Sequence, residues 1–355
     1  MTKRISIITL FTIFLLMIAT PVQAVYEELG GGKYYTLIDE NNQVIHQTAM
    51  QVYTGDEYIA ADNSKYRVVE IVGETVRCVY QGKEAMPAVN YDEQKQAWVV
   101  EGDAVQAGSG SKQKTIAIYH THSDESYTPT DGKSSIDGQG GIYDVGNALT
   151  QKLTALGFKV DHNTNNHNPH DINAYNRSRK TAMTLLKTNP DVILDVHRDA
   201  VPASQYQTQV QGQNATKVKL VVGKSNPNQK ATMEFAKQIK AVMDKKDPGL
   251  SNGIYIGKGD YNQDLNPHAM LIEVGSDTNN KEDAEKGVAL FANTLPTVLG
   301  VSSGSADTSG QQSGPAAKPL TGSNRGIWTN ILILVVVVAA AGIGFYYLNR
   351  GSVKK

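Results

Sequence analysis

Apolar residues along this chain follow two different rhythms. Between residues 34 and 80 they alternate with polar ones in short runs. Tyr34-Tyr35-Thr36-Leu37-Ile38 and Val44-Ile45-His46-Gln47-Thr48 flank a polar turn at Asp39–Gln43. Tyr58-Ile59-Ala60 and Tyr66 to Val72 flank Asp62-Asn63-Ser64, and Thr75 to Tyr80 follows Gly73. Period-two runs joined by turn residues predict hairpins, hence a small β module over 25–101. Gly102 to Lys114, with Gly108-Ser109-Gly110-Ser111, predicts a linker over 102–114.

From 115 to 300 short apolar runs alternate with helical spacing. Val145, Leu149, Leu153 and Leu156 recur as on one helix face, and Gly157 marks its end. A second helix is predicted from Ile172 to Lys187. A third follows Asn226-Pro227, with Met233, Ala236, Ile239 and Met243 on its apolar side. A last one is capped by Asn280, with Glu282 and Asp283 in its first turn. This alternation predicts an α/β domain over 115–300, a mostly parallel sheet flanked by helices. Such sheets bind ligands beyond the carboxyl ends of their strands.

The ends of the chain read differently. Lys3 and Arg4 precede the apolar stretch Ile5 to Ala19, and Val22-Gln23-Ala24 fits a cleavage pattern, so 1–24 is expected to be a signal peptide, with an uncleaved anchor as the alternative. Residues 301–326, rich in Ser, Gly, Gln and Pro, predict a flexible spacer. Ile327 to Leu348 carries no charge. At about 1.5 Å per residue it would be about 33 Å long, enough to cross a ~30 Å hydrocarbon core. Trp328, Tyr346 and Tyr347 lie near its ends, and Arg350, Lys354 and Lys355 follow. Positive charge there predicts a cytosolic tail over 349–355, with the body outside, tethered to the cell membrane by a single C-terminal span.

Composition narrows the function classes. Lys and Arg number 34 against 35 Asp and Glu, which gives no electrostatic case for nucleic acid. The single cysteine, Cys78, excludes an intrachain disulfide and falls in an alternating run, where packing is its expected role.

Candidate chemistry collects at three predicted strand ends. Thr115 to Tyr119 leads into His120-Thr121-His122-Ser123-Asp124-Glu125; Asp191 to Val196 leads into His197; Met270 to Ile272 leads into Glu273. A zinc hydrolase needs three protein ligands and one open position for water. His122, Glu125 and His197 offer that set. His120, two positions from His122 and on the same side of an extended strand, is an alternative ligand. Glu273, between Ile272 and Val274, would be costly to bury unpaired and is the candidate general base. Arg198 and Asp199 are expected either to orient the site or bind substrate, with Arg198 an oxyanion candidate, or merely to cap the strand. His162, His167, His170 and His268 stand among Asn, Asp and Pro and are expected in surface loops.

Ile118-Tyr119-His120-Thr121-His122 with Glu125-Ser126-Tyr127, Asp195-Val196-His197-Arg198-Asp199-Ala200, and Leu271-Ile272-Glu273-Val274-Gly275 resemble, in that order, the stage II sporulation protein P family. They are more distantly similar to zinc N-acetylmuramoyl-L-alanine amidases, whose second ligand is a Glu at the start of the first helix. Only Asp144 stands in that neighbourhood, so Asp144 is an alternative to Glu125. The resemblance implies a Zn2+ enzyme acting on peptidoglycan during sporulation engulfment, with amidase and endopeptidase action. It also implies two partners, the lytic transglycosylase sporulation protein D and the membrane protein sporulation protein M. The C-terminal span departs from the N-terminal membrane segment common in the family. Two other readings stay open: a zinc carboxypeptidase-like wall peptidase, and a non-catalytic, membrane-tethered wall-binding protein.

Overall fold

The computed structural model describes residues 28–92, 97–100, 113–171 and 173–301. The signal peptide, most of the linker, the spacer, the apolar span 327–348 and the tail lie outside them. Among the described residues no helix is long and apolar enough to cross a membrane.

The alternating N-terminal runs form β1 (Tyr35–Ile38), β2 (Val44–Thr48), β3 (Glu57–Ile59), β4 (Ser64–Val72) and β5 (Thr75–Lys83). The Asp39 carboxylate closes the first turn by accepting from the backbone N–H groups of Asn41 and Gln43, each at 2.8 Å. Gly73, at φ 60°, makes the tight β4–β5 turn, where a side chain would be strained. A hairpin of β6 (Val89–Asp92) and β7 (Ala97–Val100) follows.

Beyond it come β8 (Thr115–Tyr119), the one-turn α1 (Thr128–Asp131), α2 (Ile142–Ala155), β9 (Lys159–His162), α3 (Ala174–Leu185) and β10 (Val192–Asp199). The hairpin of β11 (Gln207–Val210) and β12 (Gln213–Thr216) leads to β13 (Val218–Gly223), α4 (Gln229–Lys246) and β14 (Ser251–Gly257). The described chain ends with β15 (Ala269–Ser276), α5 (Lys281–Ala292) and the short α6 (Leu295–Val298).

Eleven strands form one sheet in the order β2-β1-β5-β4-β3-β14-β13-β15-β10-β8-β9. The expectation of a mostly parallel sheet is corrected here: the sheet is mixed. β15, β10, β8 and β9 run parallel, but β13 is antiparallel to β15, and β3 is antiparallel to β14. The reason lies in the connections. A parallel return needs a crossover of a dozen or more residues, usually a helix. Between β10 and β13 the chain spends its length on the β11–β12 hairpin, so β13 re-enters the sheet running the opposite way. The N-terminal strands are not a separate sheet, because β3 pairs with β14 through Tyr58 and Ile59.

Strand alternation then sorts the core. Ile116, Ile118, Leu194, Val196, Leu220, Val222, Ile272 and Val274 face one side, with Leu149 and Leu153 of α2, Ile239 of α4 and Phe291 of α5. Their neighbours face the other side. Leu271, Val221 and Tyr255 pack with Leu37, Met50, Val68 and Cys78, while Ala117, Tyr119 and Ile193 pack with Ala182 and Leu185 of α3. Each such aliphatic side chain contributes roughly 1.5–3 kcal/mol by its burial. Cys78 serves this packing: its thiol is buried, and burial pushes its pKa up to about 12. Asp195, His197, Lys219 and Glu273 share this second face, and the site is built there.

Candidate metal centre

The strand β8 stops at Tyr119, and residues 120–126 turn across the carboxyl ends of the parallel strands. The turn brings His122 Nδ1 within 3.1 Å of Glu125 Oε1. Its neighbour β10 runs on to Asp199 and carries His197 in register with Glu273 of β15. His197 Nδ1 lies 3.2 Å from the same Glu125 oxygen. The other Glu125 oxygen accepts the Arg198 backbone N–H at 2.9 Å. His122, Glu125 and His197 are all buried. Three residues separated by up to about 75 positions therefore meet around one carboxylate oxygen.

The surrounding carboxylates favour positive charge at this point. Burial and the neighbouring His170 bring the His122 pKa down to about 3, so its imidazole is neutral and a donor. Burial alone would raise Glu125, but His197 and Arg198 hold its carboxyl well below the usual range. Burial likewise opposes charge on His197, yet Asp195 and Glu125 raise its pKa well above 6.5. Asp195 Oδ1 lies 3.0 Å from His197 Nε2 and itself accepts the Thr121 N–H at 2.8 Å. A carboxylate on the far nitrogen is the usual outer support of a metal-binding histidine. Ligands about 2.0–2.2 Å from a tetrahedral zinc ion are spaced about 3.3–3.6 Å from one another. The observed spacings of 3.1 and 3.2 Å, both to the same Glu125 oxygen, are slightly shorter than that, so a bound ion would move the two imidazoles a little away from the carboxylate.

The alternative ligands lie in different surroundings. Because the strand ends before His120, strand alternation does not align it with His122. His120 turns to Val196 O (Nδ1, 2.9 Å) and to His162 (Nε2 to Nε2, 2.8 Å). Asp144 is an exposed residue of α2 that pairs with Lys281 at 2.7 Å. The Arg198 guanidinium is committed to Glu28 Oε1 at 3.1 Å and to the Ser134 carbonyl at 3.0 Å. In this arrangement it braces the site.

The surface-loop expectation for the remaining histidines holds only in part. His268 is half-buried beside Phe235, away from the centre. His167 is buried and bonded to the His120 carbonyl at 2.7 Å, and His162 is paired with His120. His170 stacks on His122 with ring centroids 3.7 Å apart, and its Nδ1 lies 3.1 Å from Asp124. Ligand atoms of Glu28, His122, Glu125 and His170 all lie within 4.8 Å of one another. Sequence reasoning missed His170 and Glu28. Three histidines within nine positions, 162 to 170, were the available signal for the first; none pointed to Glu28.

Glu273 is fully buried, and neither carboxylate oxygen has a hydrogen-bond partner among the described residues. Burial pushes its pKa up to about 8, against the lowering influence of Lys219, its cross-strand partner. Lys219 is itself buried and bonds instead to Asp199 Oδ2, which also accepts from Tyr206 (3.0 Å) and Thr48 (3.1 Å). Asp199 Oδ1 accepts the Ala49 N–H at 2.9 Å, tying β10 to the segment after β2.

The geometry defines an α/β protein with a buried His/Glu centre at the carboxyl edge of its sheet and an unpartnered acid beside it. The Stage II sporulation protein P (SpoIIP) family matches residues 35–296, and the chain belongs to that family. Stage II sporulation protein P of Bacillus subtilis (strain 168) is 28% identical over 232 residues, 60% of this chain and 58% of the relative's length. The CwlD amidase of Clostridioides difficile, solved in complex with the GerS lipoprotein, superposes with a TM-score of 0.37 at 18% identity, covering 53% of this chain and 100% of its own. The apo form of the N-acetylmuramyl-L-alanine amidase Ami1 from Mycobacterium abscessus gives 0.34 at 17%, covering 54% and 97%.

Proposed function

We propose that this chain is a zinc-dependent peptidoglycan hydrolase that cleaves the amide between N-acetylmuramic acid and L-alanine during sporulation engulfment. His122, Glu125 and His197 would hold the ion. The observation that carries this reading is a buried, unpartnered carboxyl, Glu273, one strand from the His/Glu centre and in register with His197. An uncompensated buried acid costs stability, and active sites are where such costs are kept.

A bound zinc ion would polarise the scissile carbonyl and lower the pKa of a coordinated water. The chain's own residues do the rest. Asp195 lies 3.0 Å from His197 Nε2 as a charged neighbour, while Nδ1 faces Glu125. The Arg198 backbone N–H fixes the second Glu125 oxygen. Glu273 has two free oxygens at which a proton can be taken up and later passed to the leaving nitrogen. A positive charge placed in the centre would favour its carboxylate form, so the base is set by occupancy of the site.

The membrane-tethered, outward-facing placement and the partnership with sporulation proteins D and M extend this proposal. They rest on the leader, the span 327–348 and the family. Digestion of purified muropeptides tests the activity. New lactyl carboxyl ends are the expected product. Cut cross-links would add endopeptidase action, free amino acids would replace the reading with a carboxypeptidase, and unchanged muropeptides would leave a wall-binding protein.

A further inference from the structure

We infer that Glu28 is an additional ligand of the ion proposed above, closing from the N-terminal side the coordination position that a hydrolase must leave open. This rests on the metal reading of His122, Glu125 and His197, and it adds a residue from outside the three strand ends.

The segment is anchored. Glu28 forms an antiparallel bridge with Met50, and the Leu29 N–H donates to the Ala49 carbonyl at 2.9 Å. That places the Glu28 side chain, only 14% exposed, over the centre. Its carboxylate and donor atoms of His122, Glu125 and His170 lie within 4.8 Å of one another. Imidazole nitrogens with carboxylate oxygens are a zinc-type donor set.

Of the two residues that join His122 and Glu125 there, Glu28 is the better ligand. His170 lies nearly flat on His122, at 24° between ring planes, so the in-plane lone pairs of the two rings run side by side. Its Nδ1 is taken by Asp124, and its Nε2, without a hydrogen-bond partner among the described residues, lies 3.7 Å from Glu28 Oε2, where it serves as that carboxylate's neighbour. Charge points the same way. Glu28 and Glu125 face one guanidinium, Arg198, at 3.1 and 4.0 Å. A divalent cation between two carboxylates supplies what one arginine does not. Four protein ligands make a closed site, whereas catalysis needs a vacancy. The chain as folded is therefore a latent form, and substrate binding must displace Glu28.

The test uses the full chain as wild type, Glu28→Gln, Glu28→Asp and His122→Ala. Zinc affinity is measured by competition with a chromophoric chelator, and Co2+ spectra are recorded with and without acetate as a probe for a vacant position. Glu28→Gln keeps an acceptor for Arg198 but is a poor ligand. It is expected to weaken zinc binding about tenfold or more, the scale on which even outer-shell contacts act, and to let acetate alter the Co2+ spectrum, which it leaves unchanged in the wild type. Glu28→Asp, with the charge kept and the carboxylate withdrawn by one methylene, is expected to fall between. Wild-type zinc affinity together with the wild-type acetate response in both Glu28 variants overturns the inference alone, provided His122→Ala loses the metal. A wild-type chain that binds neither ion overturns the metal reading itself.

Discussion

Replacing Glu273 by Gln should stabilise the metal-free chain while silencing it. Burial pushes this carboxyl from 4.5 up to about 8. Below pH 4.5 the group is protonated in the folded and unfolded chain alike. Between pH 4.5 and 8 the unfolded chain gives up its proton and the folded chain keeps it, so stability falls as pH rises. Above pH 8 both forms are ionised and the loss is complete. At about 1.4 kcal/mol per pH unit the whole window amounts to on the order of 5 kcal/mol, with about 3 already lost at pH 7. Gln has the same shape and no charge, so its curve lacks this slope. Urea unfolding of both proteins in excess chelator at pH 5, 7 and 8.5 measures the difference. The variant is expected to exceed the wild type by under about 1 kcal/mol at pH 5 and increasingly at 7 and 8.5. Wall lysis should drop about 10²–10⁴-fold, the usual worth of a general acid–base group. A variant no more stable than the wild type at pH 8.5 would show that Glu273 is solvated or paired, and the argument for its role would fail.

Other outcomes follow from the same geometry. Metal analysis should find stoichiometric zinc lost in His122→Ala, Glu125→Ala and His197→Ala but kept in Asp144→Ala, since Asp144 is exposed and bound to Lys281. Lys219→Met leaves the buried Asp199 carboxylate uncompensated and should cost about 3–5 kcal/mol in urea unfolding, part of it recovered by adding Asp199→Asn. A fragment of residues 113–301 should fail to fold cooperatively, as read by near-ultraviolet circular dichroism. It exposes the edge of β14 and the apolar face of Leu271, Val221 and Tyr255.

Much of this site was legible in the residues, because local pattern and strand ends are local facts. The runs ending at Tyr119, Val196 and Ile272 do deliver His122, Glu125, His197 and Glu273 to one edge. The helical spacing of Val145, Leu149 and Leu153 marks the buried side of α2. What escaped depends on contacts between distant segments. Nothing in Tyr58 or Ile59 announces that β3 pairs with β14. The direction of β13 is set by a hairpin where a crossover helix was expected. His170 and Glu28 look like ordinary loop residues until the loop after β9 and the segment before β1 fold over His122. The equivalence of His120 and His122 held only if the strand continued past Tyr119, and it does not.

The distribution of buried charge then separates scaffold from chemistry. Lys219 has Asp199, His197 has Asp195 and Glu125, and Arg198 has Glu28. His46, buried against Tyr58, is held neutral, its pKa pushed well below 6.5 by burial and by Lys219. Each of these groups is either paired or uncharged, as the expense of desolvating an ion requires. Glu273 stands a single strand from both Lys219 and His197, yet its oxygens bond to neither. The pairing of Lys219 with Asp199 is what keeps Glu273 unpaired. The N-terminal strands secure that pairing through Thr48 and Ala49. A module that looks like an appendage in the sequence thus helps keep the acid free to exchange a proton.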